Sequence, residues 1–446
     1  MNLAARKIEK FTLLISWAAC ALYVTSPDIP SPVFPGDLRI ADIIVLVVVF
    51  SAFFILINRR GLIPVPAFKT PVLFFLVYII VILALPLFGI MFYNAHLHWY
   101  YGDLRWLLIL FVGFALILVY RSREPAHFTT HFTWFLLVLT TIQLVVLASQ
   151  VSVSLFGTAP NVILELWYPG GEGGYGNYGH HINRYAAGLT YASGLARFGA
   201  ITFVYSAVNL YLQFEKRKPP DYRLFFLFFS GLLFVIASGT RTMMFAMPVA
   251  ILFIFAVSIV VRGRISYKSL SAVLYGGAGI VAITVLAFRY NVGRISSSDR
   301  LMSVIDLIMG RTTLDEIAGR GGFRWTQPLN EAFTEWGWHG TLVNASHAMD
   351  HLPAIDSYIV FSIAQGGPFI IMPFFLLCMA LIVSGFWLII RGDSTGALVL
   401  GVAFPILAAS LSQNTMTELS SRVFLTLTIC GLYVWKTPKP LNKPVG

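Results

Sequence analysis

Apolar residues in this chain come in long runs divided by clusters of charge. A hydrocarbon layer of about 30 Å is crossed by roughly 20 helical residues. Runs of about that length lie near 11–25, 38–57, 71–92, 104–120, 132–156, 185–212, 224–238, 243–261, 270–288, 367–390, 397–413 and 421–435. The thinnest are 224–238 and 421–435. Each helix satisfies its own backbone hydrogen bonds, which lipid cannot do. The pattern therefore predicts an all-α polytopic membrane helix bundle of about twelve transmembrane helices.

The first run has Arg6, Lys7 and Lys10 before it and Pro27 after it, as a signal peptide would. The chain keeps re-entering the membrane and shows no clear small-residue cleavage site, so a retained first span is the expectation. There is no internal repeat and no soluble domain at either end, so 1–446 reads as one membrane domain. Two connections are long: about 157–184, and a large outer loop at about 289–355. Long ordered loops usually serve a function.

Composition agrees with lipid as the main solvent. The 446 residues are 57% hydrophobic and 11% charged, with a mean hydropathy of +0.78. A soluble domain could not cover that much apolar surface. The net charge of +11 would suggest nucleic acid in a soluble protein, but here topology accounts for it. With the amino terminus inside, 19 of the 31 basic residues fall in inner segments, as the positive-inside rule requires. Both termini are then cytoplasmic.

The other 12 basic residues are all arginine: Arg39, Arg105, Arg184, Arg197, Arg241, Arg289, Arg294, Arg300, Arg311, Arg320, Arg324 and Arg422. Topology penalises outer lysine and arginine alike, whereas arginine's planar fork suits phosphate and carboxylate. The bias suggests an anion handled on the outer side. Cys20, Cys378 and Cys430 fall within apolar spans, without metal-ligand spacing, and read as packing residues.

In the large loop Asp299, Asp306, Asp315, Glu316, Glu331, Glu335 and Asp350 offset six arginines, so it is not a basic patch. Its Trp325, Trp336 and Trp338 suit stacking on sugar faces, but tryptophans beside a membrane are more often interfacial anchors. GGEGGYGNYG at 170–179 lacks the strand and the lysine of a phosphate-binding loop and reads as a lid or a flexible linker. Arg241 sits in SGTRT, between two spans with almost no connection. It is either a ligand for a lipid-linked phosphate or an arginine snorkelling at a helix end. His181, Asn183 and Arg184 open a span, and Arg197 lies inside it, paired with an acidic group or lining an aqueous cavity. His339, His347 and His351 do not form a zinc motif. His96 and His98 flank Trp99 in another outer loop.

The densest stretch is GRGGFRWTQPLNEAFTEWGWHG at 319–340, followed by IDSYIVFSIAQGGPF at 355–369. It holds an Arg and Trp pair (Arg324, Trp325), an amphipathic stretch, a glycine-rich turn (Gly337 to Gly340), and a polar pair (Asp356, Ser357) opening a span. Gly366 and Gly367 follow one helix-length later. With Asn183 to Ala186 and the SGTR turn, this resembles the O-antigen ligase and O-antigen polymerase superfamily over most of the chain. The resemblance implies glycan transfer at the periplasmic face of the bacterial inner membrane, from an undecaprenyl pyrophosphate-linked donor. It implies no nucleotide sugar, metal or other cofactor, with a flippase and a chain-length regulator as partners.

On that reading Arg241, Arg324 and Arg184 hold the pyrophosphate, with Arg320, Trp325 and His339 also contacting substrate. A base must deprotonate the attacking sugar hydroxyl. The ligase branch has a His where this chain has Asp356. Asp356 then serves as base, or His347 or His351 does, or the difference marks a polymerase. Asp356 is equally placed to be a helix N-cap with no chemistry. The resulting expectation is a polymerase of lipid-linked repeat units. The alternatives are a ligase transferring glycan to lipid A core or another acceptor, and a flippase, which would be expected to show internal repeats.

Overall fold

The computed structural model describes residues 3–25, 40–58, 66, 68–93, 101–120, 125–156, 187, 189, 192–262, 329–342, 357–411, 416 and 418–435. Among these the chain is helical, with no strand. The helices are α1 (Leu3–Thr25), α2 (Ile40–Asn58), α3 (Lys69–Tyr93), α4 (Tyr101–Tyr120), α5 (Pro125–Phe156), α6 (Ala192–Glu215), α7 (Tyr222–Ser238) and α8 (Arg241–Arg262). After a π-helical turn at Ala332–Trp336 come α9 (Tyr358–Gly366), α10 (Pro368–Ile390), α11 (Thr395–Ser410) and α12 (Leu419–Val434). Seven of them, α1 to α6 and α10, are long and apolar enough to cross a membrane. α7, α11, α12 and the apolar part of α8 are shorter.

Eleven of the expected runs therefore coincide with helices, and 270–288 lies outside the described residues. Two boundaries depart from expectation. The span placed at 185–212 begins only at Ala192. Ala187 has φ of +50°, and Gln150 of α5 accepts its N–H at 2.9 Å, so the backbone is held out of helical geometry before α6. Ser357 of the expected pair caps not a span but the nine-residue α9, and Asp356 lies outside the described residues. Gly367, at φ +53°, separates α9 from α10, which Pro368 begins at a position where a missing N–H costs nothing.

α6 is buried from Gly194 to Leu212, and nearly every residue of α12 is buried too. α2, α3 and α10 lie outside them and expose rows of Leu, Ile, Val and Phe. α6 and α7 approach at paired glycines: a Cβ on Gly199 would stand 2.7 Å from the Gly231 carbonyl, and the reverse contact is also 2.7 Å. Small residues at such crossings let backbones meet closely without a hydrophobic driving force. Cys20, Cys378 and Cys430 are buried free thiols.

Side-chain contacts sort the helix ends into two groups. At one end Trp17 meets Tyr120, Lys216 donates to the Gly392 carbonyl, and Trp435 donates to Asp393. At the other end Tyr23 meets Asp42, Ser357 meets Ser410, and Arg197 meets Glu418. From α1 to α8, and again from α10 to α12, successive helices thus run in alternating directions, whereas α6 and α10 both run from the second end to the first. The first is called here the lysine end and the second the arginine end.

Candidate functional site

Among the described residues, four of the five buried charged side chains, Asp42, Asp103, Arg197 and Arg422, gather at the arginine end, and the fifth, Glu9, lies near the opposite end of α1. On α4, Asp103 and Arg105 occupy the first turns, and each faces a different neighbour. Arg105 Nε lies 3.6 Å from Asp42 Oδ2 in the first turn of α2, and Asp42 also accepts from Tyr23 of α1 at 2.7 Å. Asp103 Oδ1 lies 3.5 Å from Arg422 Nη2 on α12. The Arg422 guanidinium also donates through Nε to the Met416 carbonyl at 2.7 Å and sits 5.1 Å over the Trp106 ring. Tyr78 of α3 packs edge-on against the same indole, and its hydroxyl meets that of Tyr358 on α9.

A third pair crosses to the central helices. Arg197 of α6 is 1% exposed. Its Nη2 donates to Glu418 Oε1 at 2.8 Å, and its Nη1 donates to Ser421 of α12. An uncompensated charge at mid-membrane costs about 2.5–3.5 kcal/mol on insertion scales, so each arginine brings its own carboxylate. The sequence left Arg197 between an acidic partner and an aqueous cavity; the partner is Glu418. Arg105, Arg197 and Arg422 thus already have carboxylates, which narrows the arginine bias as an anion-handling signal to the remaining nine. Asp42, Asp103, Glu418, Tyr78 and Tyr358 were not singled out from sequence. The available signal was an acidic residue in the first turn of an otherwise apolar span, as at Asp42 and Asp103.

Beside this framework the two halves of the signature region pack on one another. α9 starts at Ser357, whose hydroxyl accepts from Val360 N at 3.4 Å and donates to the Ser410 carbonyl of α11 at 3.2 Å. The cap is therefore Ser357, one residue after the aspartate to which a capping role was open. α9 ends with the Ala364 and Gln365 carbonyls directed at the turn that follows Gly340. Thr341 N donates to Ala364 O and Leu342 N to Gln365 O, both at 2.8 Å, so groups that a helix end leaves orphaned are satisfied. The fit demands glycine twice: a Cβ on Gly340 would stand 2.2 Å from Ala364 O, and one on Gly367 would stand 2.2 Å from Trp338 O.

The side chains of this turn divide their roles. Trp338 is exposed and packs against Phe369 of α10, with centroids 5.4 Å apart. Phe369 heads the outward-facing row of that helix. His339 is half-buried, with Nδ1 3.0 Å from the Gly340 carbonyl. Arg241 begins α8 directly after Gly239 and Thr240, and Gly239 takes the left-handed geometry (φ +61°) that ends α7. The near-absence of a connection there is as expected. Arg184, Arg320, Arg324, Trp325, His347, His351 and Asp356 lie outside the described residues, so among the expected site residues the structure places His339 and the backbone of Arg241.

No family model matches this sequence, and no curated protein matches it.

Proposed function

We propose that this chain is a glycan polymerase of the bacterial inner membrane. It joins undecaprenyl pyrophosphate-linked oligosaccharide repeats into O-antigen or exopolysaccharide at the periplasmic face. On this reading the chain has twelve spans with both termini cytoplasmic, the arginine end faces the periplasm, and 289–355 is a periplasmic loop over the site. The observation that supports the reading is the contact between the Gly337–Gly340 turn and the Gly366–Gly367 end of α9. These two parts of the resembling region are separated in sequence, and they meet at the end of the bundle where arginines and carboxylates collect.

The chemistry is a displacement at the anomeric carbon of the growing chain. An acceptor hydroxyl of a new lipid-linked repeat attacks, the C1–O bond to the lipid pyrophosphate breaks, and the hydroxyl proton passes to Asp356, with His347 as the other candidate base. Arg241, Arg324 and Arg184 stabilise the charge that develops on the leaving pyrophosphate. Arg320, Trp325 and His339 hold the saccharide. A flippase supplies the lipid-linked repeats, and a chain-length regulator sets the product distribution.

The test is transfer by the purified protein in proteoliposomes given a lipid-linked repeat unit alone. Polymerase activity yields a ladder of lipid-linked oligomers, lost in Arg241→Ala and Arg324→Ala. A ligase yields no ladder until lipid A core is added. Absence of transfer under both conditions, with lipid-linked repeat moved across the bilayer, would indicate a transporter.

A further inference from the structure

The lysine end carries a second charged arrangement, distinct from the ion pairs described above. The turn between α6 and α7 presents Lys216, Arg217 and Lys218, all exposed. The turn between α10 and α11 presents Arg391, also exposed. Lys216 joins the two turns by donating to the Gly392 carbonyl, and its Cε would lie 3.1 Å from a Cβ at Gly392. Arg217 has φ of +52°, a left-handed geometry that costs a non-glycine residue about 1–2 kcal/mol and that signals a hypothesis of function where it occurs.

The nearby carboxylates are already engaged. Asp393 accepts from Trp435 Nε1 at 2.7 Å and from Thr395 N at 2.8 Å, and Glu215 accepts from Tyr211 at 2.9 Å. Those neutral donors leave Asp393 and Glu215 charged, and Asp221 is matched by Arg223, so the four cations outnumber the two remaining carboxylates and the surface is net positive. Arg391 is held flat, its guanidinium 3.5 Å over the Trp387 ring. Trp387 packs on Trp435 and Phe68 with centroids 5.4 Å away in each case. Arg223 lies over the exposed Trp134 at the same end, 5.3 Å away. Tryptophans so placed mark a membrane boundary.

Below Arg391, the outward face of α10 is apolar. Phe369, Met372, Leu376, Met379, Val383 and Trp387 are all exposed and recur every three or four residues, and Arg391 continues the row four residues on. A long apolar stripe ending in a fixed guanidinium, beside two lysines, complements one molecular shape. We propose that this end binds an anionic phospholipid, its phosphate held by Arg391, Lys216 and Lys218 and an acyl chain lying along α10. Cationic clusters at helix ends attract such headgroups.

The site is independent of the glycan-transfer reading. It is tested by native mass spectrometry of the full chain in phosphatidylcholine nanodiscs containing phosphatidylglycerol, reading retained lipid and its apparent affinity. Phosphatidylglycerol is retained in preference to phosphatidylcholine, and Arg391→Gln or Lys218→Gln each weakens it by roughly five-fold. Lys7→Gln/Lys10→Gln, which removes two exposed charges elsewhere at the same end, leaves it unchanged. These side chains are exposed, and unaltered gel filtration shows that each variant is folded. Equal retention of the two lipids would overturn the proposal. So would an equal loss in the Lys7 and Lys10 variant, which means diffuse attraction, or full competition by soluble glycerol phosphate, which means a site for the free anion.

Discussion

Arg197 on α6 and Glu418 at the head of α12 form a 2.8 Å ion pair inside the bundle. It ties together two of its most deeply buried helices. Removing one member of a buried pair costs about 3–5 kcal/mol, because the other charge is left uncompensated. Glu418 keeps 19% of its side-chain surface exposed, which places Arg197→Ala near the lower end, at about 3 kcal/mol. The double variant Arg197→Met/Glu418→Met loses less than the sum of the losses of Arg197→Met and Glu418→Met made singly. Unfolding in mixed detergent measures both, and additive losses would mean that the two groups do not interact.

The turn over α9 distinguishes between its glycines. Gly340→Ala and Gly367→Ala each place a methyl 2.2 Å from a carbonyl oxygen, so the 338–342 segment must leave the end of α9. Gly337 has φ +76° and ψ −168°, a region essentially confined to glycine, but a Cβ there meets nothing nearer than His339 Nε2 at 3.9 Å. Gly337→Ala therefore costs only its backbone strain, about 1–3 kcal/mol. If the chain has the proposed glycan-transfer activity, that activity is abolished by the first two changes and reduced by the third, with membrane insertion normal in all three. Equal activity of all three variants would contradict the packing described.

The crossing of α6 and α7 is as tight as a glycine pair allows. Gly199→Ala or Gly231→Ala overpacks it by about 1–3 kcal/mol, because each new methyl meets backbone carbonyl oxygen at 2.7 Å. Thermal unfolding of the purified variants reads this as a lowered midpoint, whereas Gly337→Ala leaves this crossing untouched.

How much of this was legible beforehand differs by level. The helices were legible because their apolar runs are continuous and lipid permits no other open backbone arrangement. The start of α6 was not, because its delay depends on a hydrogen bond from Ala187 to Gln150, 37 residues away. At the candidate site the glycines of the two signature stretches could be read as turns, but not as one surface. The carboxylate partners of Arg105, Arg197 and Arg422 were hidden because each pair joins helices distant in sequence, 221 positions apart for Arg197 and Glu418. Pairing across a bundle leaves no local spacing to read.

At the lysine end, Asp221 caps α7 and accepts from Arg223 through both carboxylate oxygens. The hydrogen bond from Arg223 holds its carboxyl below the ordinary value of 3.8. A group with a depressed folded pKa contributes stability above its unfolded pKa and loses it as pH falls through the folded one. The contribution is therefore intact at neutral pH and fades below pH 3.8. It is small, since the pair is partly exposed to solvent. Asp221→Asn lowers the thermal midpoint at neutral pH and removes this part of the acid dependence. A variant whose acid dependence matched the wild type would contradict the role of the pair.

The most direct test of the proposed activity is the glycan profile of a strain lacking this protein, complemented by wild type, Arg241→Ala, Arg324→Ala or Asp356→Ala at matched membrane levels. The account predicts that single repeat units accumulate in the deletion strain, that wild type restores long polymer, and that none of the three variants does. Long polymer accumulating on undecaprenyl pyrophosphate in the deletion strain would contradict polymerisation in favour of ligation, and full complementation by every variant would contradict the assigned site.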